Sequence, residues 1–102
     1  RARVRLGISI SKAHRLRAAD FDFSFRGRGT SDPYATAWVK SRPLTEIRTE
    51  TIPSTCDPVW NFTGVIERCP HGDPIEFQVW DSDRLGSDDI LGRAEVGFDT
   101  FY

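Results

Sequence analysis

The chain has no methionine, two cysteines and two histidines among 102 residues, and its 14 Lys+Arg nearly cancel its 15 Asp+Glu. Each shortage excludes something. Two cysteines, Cys56 and Cys69, are too few for a disulfide framework. If residues 59–67 form one strand, they hold the two thiols roughly 30 Å apart, against the about 7 Å between Cα atoms that a disulfide needs. Free thiols in a reducing compartment follow. Apolar runs stay far below the about 20 residues of a membrane-spanning helix, and no leader pattern opens the chain. The near-zero net charge lacks the basic excess of a nucleic-acid binder. No Gly-x-Ser-x-Gly, Cys-x-x-Cys or phosphate-cradling loop occurs, and His14 and His71 stand in no catalytic or metal-ligating motif. An enzyme is not expected, although carboxylates paired across strands would be invisible at this level.

The residues present alternate. Val4, Leu6, Ile8 and Ile10 are apolar every second position, which predicts a half-buried strand. Further strands are expected over 34–41, around Ile47, Thr49 and Thr51, over 59–67, over 75–80 and over 90–97. Between them stand turn residues, including Ser31-Asp32-Pro33, Arg42-Pro43, Cys56-Asp57-Pro58 and Gly86-Ser87-Asp88. Residues 12–19 have the composition of a short helical turn. Many short strands with this punctuation indicate an antiparallel sandwich or barrel. Six strands are few for closure, so the remaining strands lie outside this segment or a partner covers the edge. The opening Arg1-Ala2-Arg3 suggests a segment of a longer protein.

Net charge conceals a gradient. Residues 1–31 carry +6, residues 32–71 carry −1 and residues 72–102 carry −6. The acidic end is concentrated in Asp81-Ser82-Asp83-Arg84-Leu85-Gly86-Ser87-Asp88-Asp89. Carboxylates at alternate loop positions can converge on calcium, which takes about 6–8 oxygens in irregular geometry. An EF-hand is excluded, because its fifth and twelfth positions would be Leu85 and Gly92. A second acidic group, Asp20, Asp22 and Asp32, lies upstream, and alternate loops of a sandwich gather at one end. The plainer reading is that Asp is a common turn residue in solvated loops.

Ser31-Asp32-Pro33-Tyr34, Asp57-Pro58-Val59-Trp60-Asn61, Phe77-Gln78-Val79-Trp80-Asp81-Ser82-Asp83 and Asp89-Ile90-Leu91-Gly92 occur in an order that resembles the C2 domain, the calcium-dependent phospholipid-binding module of protein kinase C and the synaptotagmins. The resemblance runs from about residue 4 to residue 97. It implies an all-β fold, an antiparallel eight-stranded Greek-key sandwich of which this segment lacks one or two terminal strands, forming a single domain over residues 1–102. It implies Ca2+ held by Asp20, Asp32, Asp81, Asp83 and Asp89, with the carbonyls of Ala19 and Ser82, and with Asp22 and Asp88 beside them. The stretch from Asp20 to Asp32 is longer than usual for the family, which leaves Asp20 and Asp22 as alternatives for the first ligand. The implied partner is an anionic phospholipid membrane, met peripherally from the cytoplasm, with other proteins or domains as further partners. The rival reading is a calcium-independent protein-interaction module.

Phe21, Phe23 and Phe25 alternate with polar residues, followed by Arg26 and Arg28. They form either a short added strand packed on the sandwich or a tip whose rings enter the lipid interface while the arginines meet phosphates. Arg84 and Leu85 would do the same on the third loop. Some members bind phosphoinositides through lysines on strands three and four, where this chain has Thr36, Trp38, Arg48 and Glu50, so a lysine-rich patch is not expected. Trp38, Trp60 and Trp80 are expected to serve the fold, with Trp80 out of phase with Ile75, Phe77 and Val79 and therefore on the opposite face or at the loop base.

Overall fold

A computed structural model describes residues 3–14, 16, 31–70, 72–83 and 85–97. They form β1 (Arg3–Lys12), β2 (Pro33–Val39), β3 (Arg42–Arg48), β4 (Val59–Pro70), β5 (Ile75–Asp81) and β6 (Asp89–Val96), and no helix occurs among the described residues. All pairings are antiparallel. β1 pairs with β4, and the second sheet has the order β3-β2-β5-β6. The period-two apolar residues meet between the sheets. Ile8 from β1, Ala37 and Val39 from β2, Ile66 and Cys69 from β4, and Ile75 from β5 form the buried cluster, with Leu6, Ile10, Ile47 and Phe77 against it. Gly64 leaves room for neighbouring side chains, since a Cβ there would stand 2.9 Å from the Phe62 ring and 3.0 Å from Ile47 Cδ1.

β4 is longer than its alternation predicts. Asn61 and Arg68 take left-handed backbone, with φ of 47° and 56°. At each, one extra residue of β4 enters the ladder, between the pairs Ile10↔Phe62 and Lys12↔Val59, and between Val4↔Cys69 and Leu6↔Ile66. These bulges reverse the side-chain phase. Ile66 and Cys69, three apart, therefore both reach the interior. Cys56 and Cys69 are free thiols, as expected. Burial first, then the charge of Asp73, pushes the Cys69 thiol up.

Two expectations about β2 and β3 are corrected. Arg42-Pro43 is not the turn, because Arg42 already pairs with Val39 and Lys40 and Ser41 make the reversal. Pro43 is tolerated because β3 is an edge strand, where a missing N–H costs no ladder bond. β3 ends at Arg48, before Thr49 and Thr51. Thr49 stays buried beside β2, its N–H donating to the Ala35 carbonyl at 2.9 Å and its hydroxyl accepting from the Ala35 N–H at 2.9 Å. A side chain thus replaces a ladder bond. The stretch expected as a helical turn, residues 12–19, is described only at 12–14 and 16. Lys12 ends β1, and Ala13 and Leu16 donate backbone bonds to Pro58 and Cys56. Residues 15 and 17–19 lie outside the described residues.

Among the described residues, β1 and β6 each pair on one side only. A slot of about 200 Å³ lined by Leu6, Ile8, Ile75, Phe77 and Val96 opens between them. The ion pairs Arg5–Glu67, Lys40–Glu95 and Arg93–Glu76 involve none of the loop aspartates.

Candidate functional site

Three strand ends place the acidic residues together. Asp32 immediately precedes β2, Asp81 ends β5 and Asp89 begins β6. Asp81 pairs with Pro33 on one side and with Asp89 on the other, which brings these carboxylates to one end of the second sheet. The backbone holds them there. The Asp32 N–H donates to Asp81 Oδ1 at 2.8 Å, and the Ser54 N–H donates to Asp32 Oδ1 at 2.8 Å. The Ser82 N–H donates to the Asp32 carbonyl at 3.0 Å. Asp81 is buried, at 1% exposure. No Lys, Arg or His among the described residues forms an ion pair with Asp32, Asp81, Asp83 or Asp89.

The loop from 82 to 88 is organised by its own aspartates. Asp83 Oδ1 accepts from the Leu85 N–H at 2.9 Å, a local turn that Asp favours. Asp88 Oδ1 accepts from the Asp83 N–H at 2.9 Å, and Asp88 Oδ2 accepts from the Tyr34 hydroxyl at 2.5 Å. Asp88 is therefore a brace between the loop and β2. Sequence reasoning missed Tyr34 in this role. Its only signal was the Ser-Asp-Pro-Tyr element, and the pairing spans 54 residues. Leu85 is 97% exposed at the loop tip.

Asp20, Asp22, Ala19, Phe21, Phe23, Phe25, Arg26, Arg28 and Arg84 lie outside the described residues. Among the described residues, no three His, Cys, Asp or Glu side chains close into a metal cluster. The donor set does suit a hard cation. It is all carboxylate oxygen, one member is buried, and none of the four has a basic partner among the described residues.

The Tyr34–Asp88 contact has a titration signature. Burial, and then the bond to and charge of Asp88, push the Tyr34 hydroxyl up to about 12. That hydroxyl, followed by the Asp83 N–H, holds Asp88 below the ordinary carboxylate range. Tyr34→Phe is expected to destabilise the calcium-free chain by about 1–2 kcal/mol at neutral pH, the lower part of the range for a charged acceptor because Asp88 is partly solvated. The Asp88 contribution is present above the usual carboxylate range and is lost as pH falls through the lowered value. The Tyr34 contribution is present below about pH 10 and is lost as pH rises toward about 12. Urea midpoints of both proteins at acidic, neutral and strongly alkaline pH check this. A gap that does not narrow at either extreme would mean that Tyr34 acts by packing alone.

Trp60 is buried and its indole N–H donates to the Pro33 carbonyl at 3.3 Å, a structural position as expected. Trp80 faces away from the core, and Trp38 shares that outer face.

The C2 domain family model matches residues 4–102. The chain is 35% identical over 97 residues to extended synaptotagmin-1 of Rattus norvegicus, covering 93% of this chain and 8% of that protein. It is 37% identical over 71 residues to the E3 ubiquitin-protein ligase NEDD4 of the same species, covering 67% of this chain and 8% of that protein. The chain thus spans under a tenth of the length of these curated relatives. The solved C2A and C2B domains of extended synaptotagmin 2, calcium bound, superpose with a TM-score of 0.73 at 25% identity, covering 93% of this chain and 34% of that one.

Proposed function

This chain belongs to the C2 domain family, and from that premise we propose that it is a non-catalytic, calcium-regulated module that docks peripherally on anionic phospholipid membranes. The observation that carries the reading is the gathering of Asp32, Asp81, Asp83 and Asp89 at one end of the second sheet without a basic partner among the described residues. Asp20 or Asp22 and the carbonyls of Ala19 and Ser82 complete the proposed ligand set. Bound calcium supplies positive charge where the chain alone presents only carboxylates. The chain's own part is threefold. Backbone bonds hold Asp32 and Asp81 in place before the ion arrives. Asp88 braces the loop against Tyr34. Leu85 offers an exposed apolar tip that suits the interface of a lipid leaflet. The calcium-bound state of the extended synaptotagmin 2 domains, at 25% identity, supports the choice of ion. No helix among the described residues is long and apolar enough to cross a membrane.

Sedimentation with phosphatidylserine-containing liposomes tests the proposal. Binding is expected in calcium and at least roughly tenfold weaker in EGTA, a difference of about 1.4 kcal/mol. Equal binding in both would remove the switch and favour a calcium-independent interaction module.

A further inference from the structure

Asp88 stands apart from the other aspartates of the acidic end. Both of its oxygens are engaged, Oδ1 by the Asp83 N–H at 2.9 Å and Oδ2 by the Tyr34 hydroxyl at 2.5 Å. It lines a groove on the outer face of the second sheet with Tyr34 and Trp80, and none of Asp32, Asp81, Asp83 and Asp89 does so. Its carboxylate is committed to the sheet, although it adjoins Asp89 in the chain.

What Asp88 holds is a peptide unit. The N–H of Asp83 and the carbonyl of Ser82 belong to one planar group, and in a trans peptide they point in opposite directions. No cis peptide bond occurs among the described residues. Holding the N–H on Asp88 therefore aims the Ser82 carbonyl the other way. One residue earlier, the Ser82 N–H is fixed by the Asp32 carbonyl at 3.0 Å. These two bonds leave the Ser82 carbonyl little freedom. The anchor at the far end is rigid. Tyr34 is buried, it pairs with Trp80 across the β2–β5 ladder, and the Arg48 guanidinium of β3 lies 4.6 Å from its ring centre. A hydroxyl held by the sheet thus fixes a carboxylate, and the carboxylate fixes a carbonyl.

We propose that Tyr34 and Asp88 are positioning residues for the cation site, a lever that aims the Ser82 carbonyl at the ion. The inference rests on the calcium reading above, in which that carbonyl is a ligand. A carbonyl aimed beforehand spares the cost of ordering it when the ion arrives, and groups that orient metal ligands typically control affinity about 10–100-fold. Asp88 is then not itself a ligand. Tyr34, which bears no charge, influences the ion through Asp88 alone.

Calorimetric titration of calcium tests this in two backgrounds. Tyr34→Phe should weaken calcium about tenfold, the low end for an orienting group. In an Asp88→Ala background the same substitution should leave affinity nearly unchanged, because the lever is already cut. Ile66→Val, which lowers stability from the core, should not alter calcium affinity, so a loss in Tyr34→Phe is not the mark of a weakened fold. A second readout needs no calcium. In EGTA, Tyr34→Phe and Asp88→Ala should each speed amide hydrogen exchange at Asp83, while the Asp32 and Ser54 amides, held by Asp81 and Asp32, keep their protection. Unaltered affinity in Tyr34→Phe, an equal loss in both backgrounds, or unchanged exchange at Asp83 would overturn the lever. No calcium binding by the unaltered chain would instead overturn the reading on which it rests.

Discussion

Asp83→Asn is expected to lower calcium affinity at least roughly tenfold, about 1.4 kcal/mol, while the calcium-free chain keeps its fold. The substitution is chosen for what it leaves alone. Asp83 is exposed, and within the loop its carboxylate Oδ1 accepts from the Leu85 N–H. An asparagine carbonyl oxygen accepts the same bond, so the turn survives. What disappears is one negative charge in the acidic cluster at the mouth of β5 and β6. Calcium sites tune affinity through the number of charged oxygens, so the loss falls on binding. Relief of like-charge crowding leaves the calcium-free state unchanged or slightly more stable. Calorimetric titration with calcium and a thermal melt in EGTA read the two effects separately. An unchanged affinity would remove Asp83 from the ligand set. Unfolding in EGTA would make it a structural residue.

Ile66→Ala is expected to be the most damaging core substitution, at about 2–5 kcal/mol. Domains of this size are stable by about 5–15 kcal/mol, so a large share would be lost. Ile66 is 2% exposed and packs with Ile8, Val39, Cys69 and Ile75, where side chains of both sheets meet. Truncation leaves a cavity that two hydrogen-bonded sheets cannot close without breaking ladder bonds. Its neighbour Val65 is 39% exposed on the other side of β4, and Val65→Ala should cost under about 1 kcal/mol. Urea unfolding followed by circular dichroism compares the pair. Equal costs would mean that the interior is not centred on β4 as described.

The comparison of these neighbours shows where reading the chain by period two works. β1, β2 and β5 were legible because their own inward residues keep strict alternation, the extra residues of the β1–β4 ladder lying on β4. The full length of β4 was not, because Asn61 and Arg68 adopt left-handed backbone and each adds a residue to the ladder. Nothing in the residue types near Arg68 announces that conformation. The β2–β3 reversal at Lys40 and Ser41 was displaced by the stronger local signal of Arg42-Pro43. That signal yields because Pro43 sits on an outer strand.

The same division runs through the site. The acidic residues of loop 81–89, and the spacing of Asp32 before a strand, were visible as residue types at given positions. That they share one end of the sheet follows from β2 lying beside β5 and β5 beside β6, although Asp32 and Asp81 are 49 residues apart. The Tyr34–Asp88 brace has no local signature, because it joins β2 to a loop that meets it only in the folded sheet. By itself the sequence determined the all-strand character, the family and the chemistry of the acidic loop, since alternation and residue type are properties of short stretches. Only the tertiary structure decided which of those carboxylates are held by backbone N–H groups and which is a brace. Those outcomes depend on strand order and register, and these are set by packing between residues far apart in the chain.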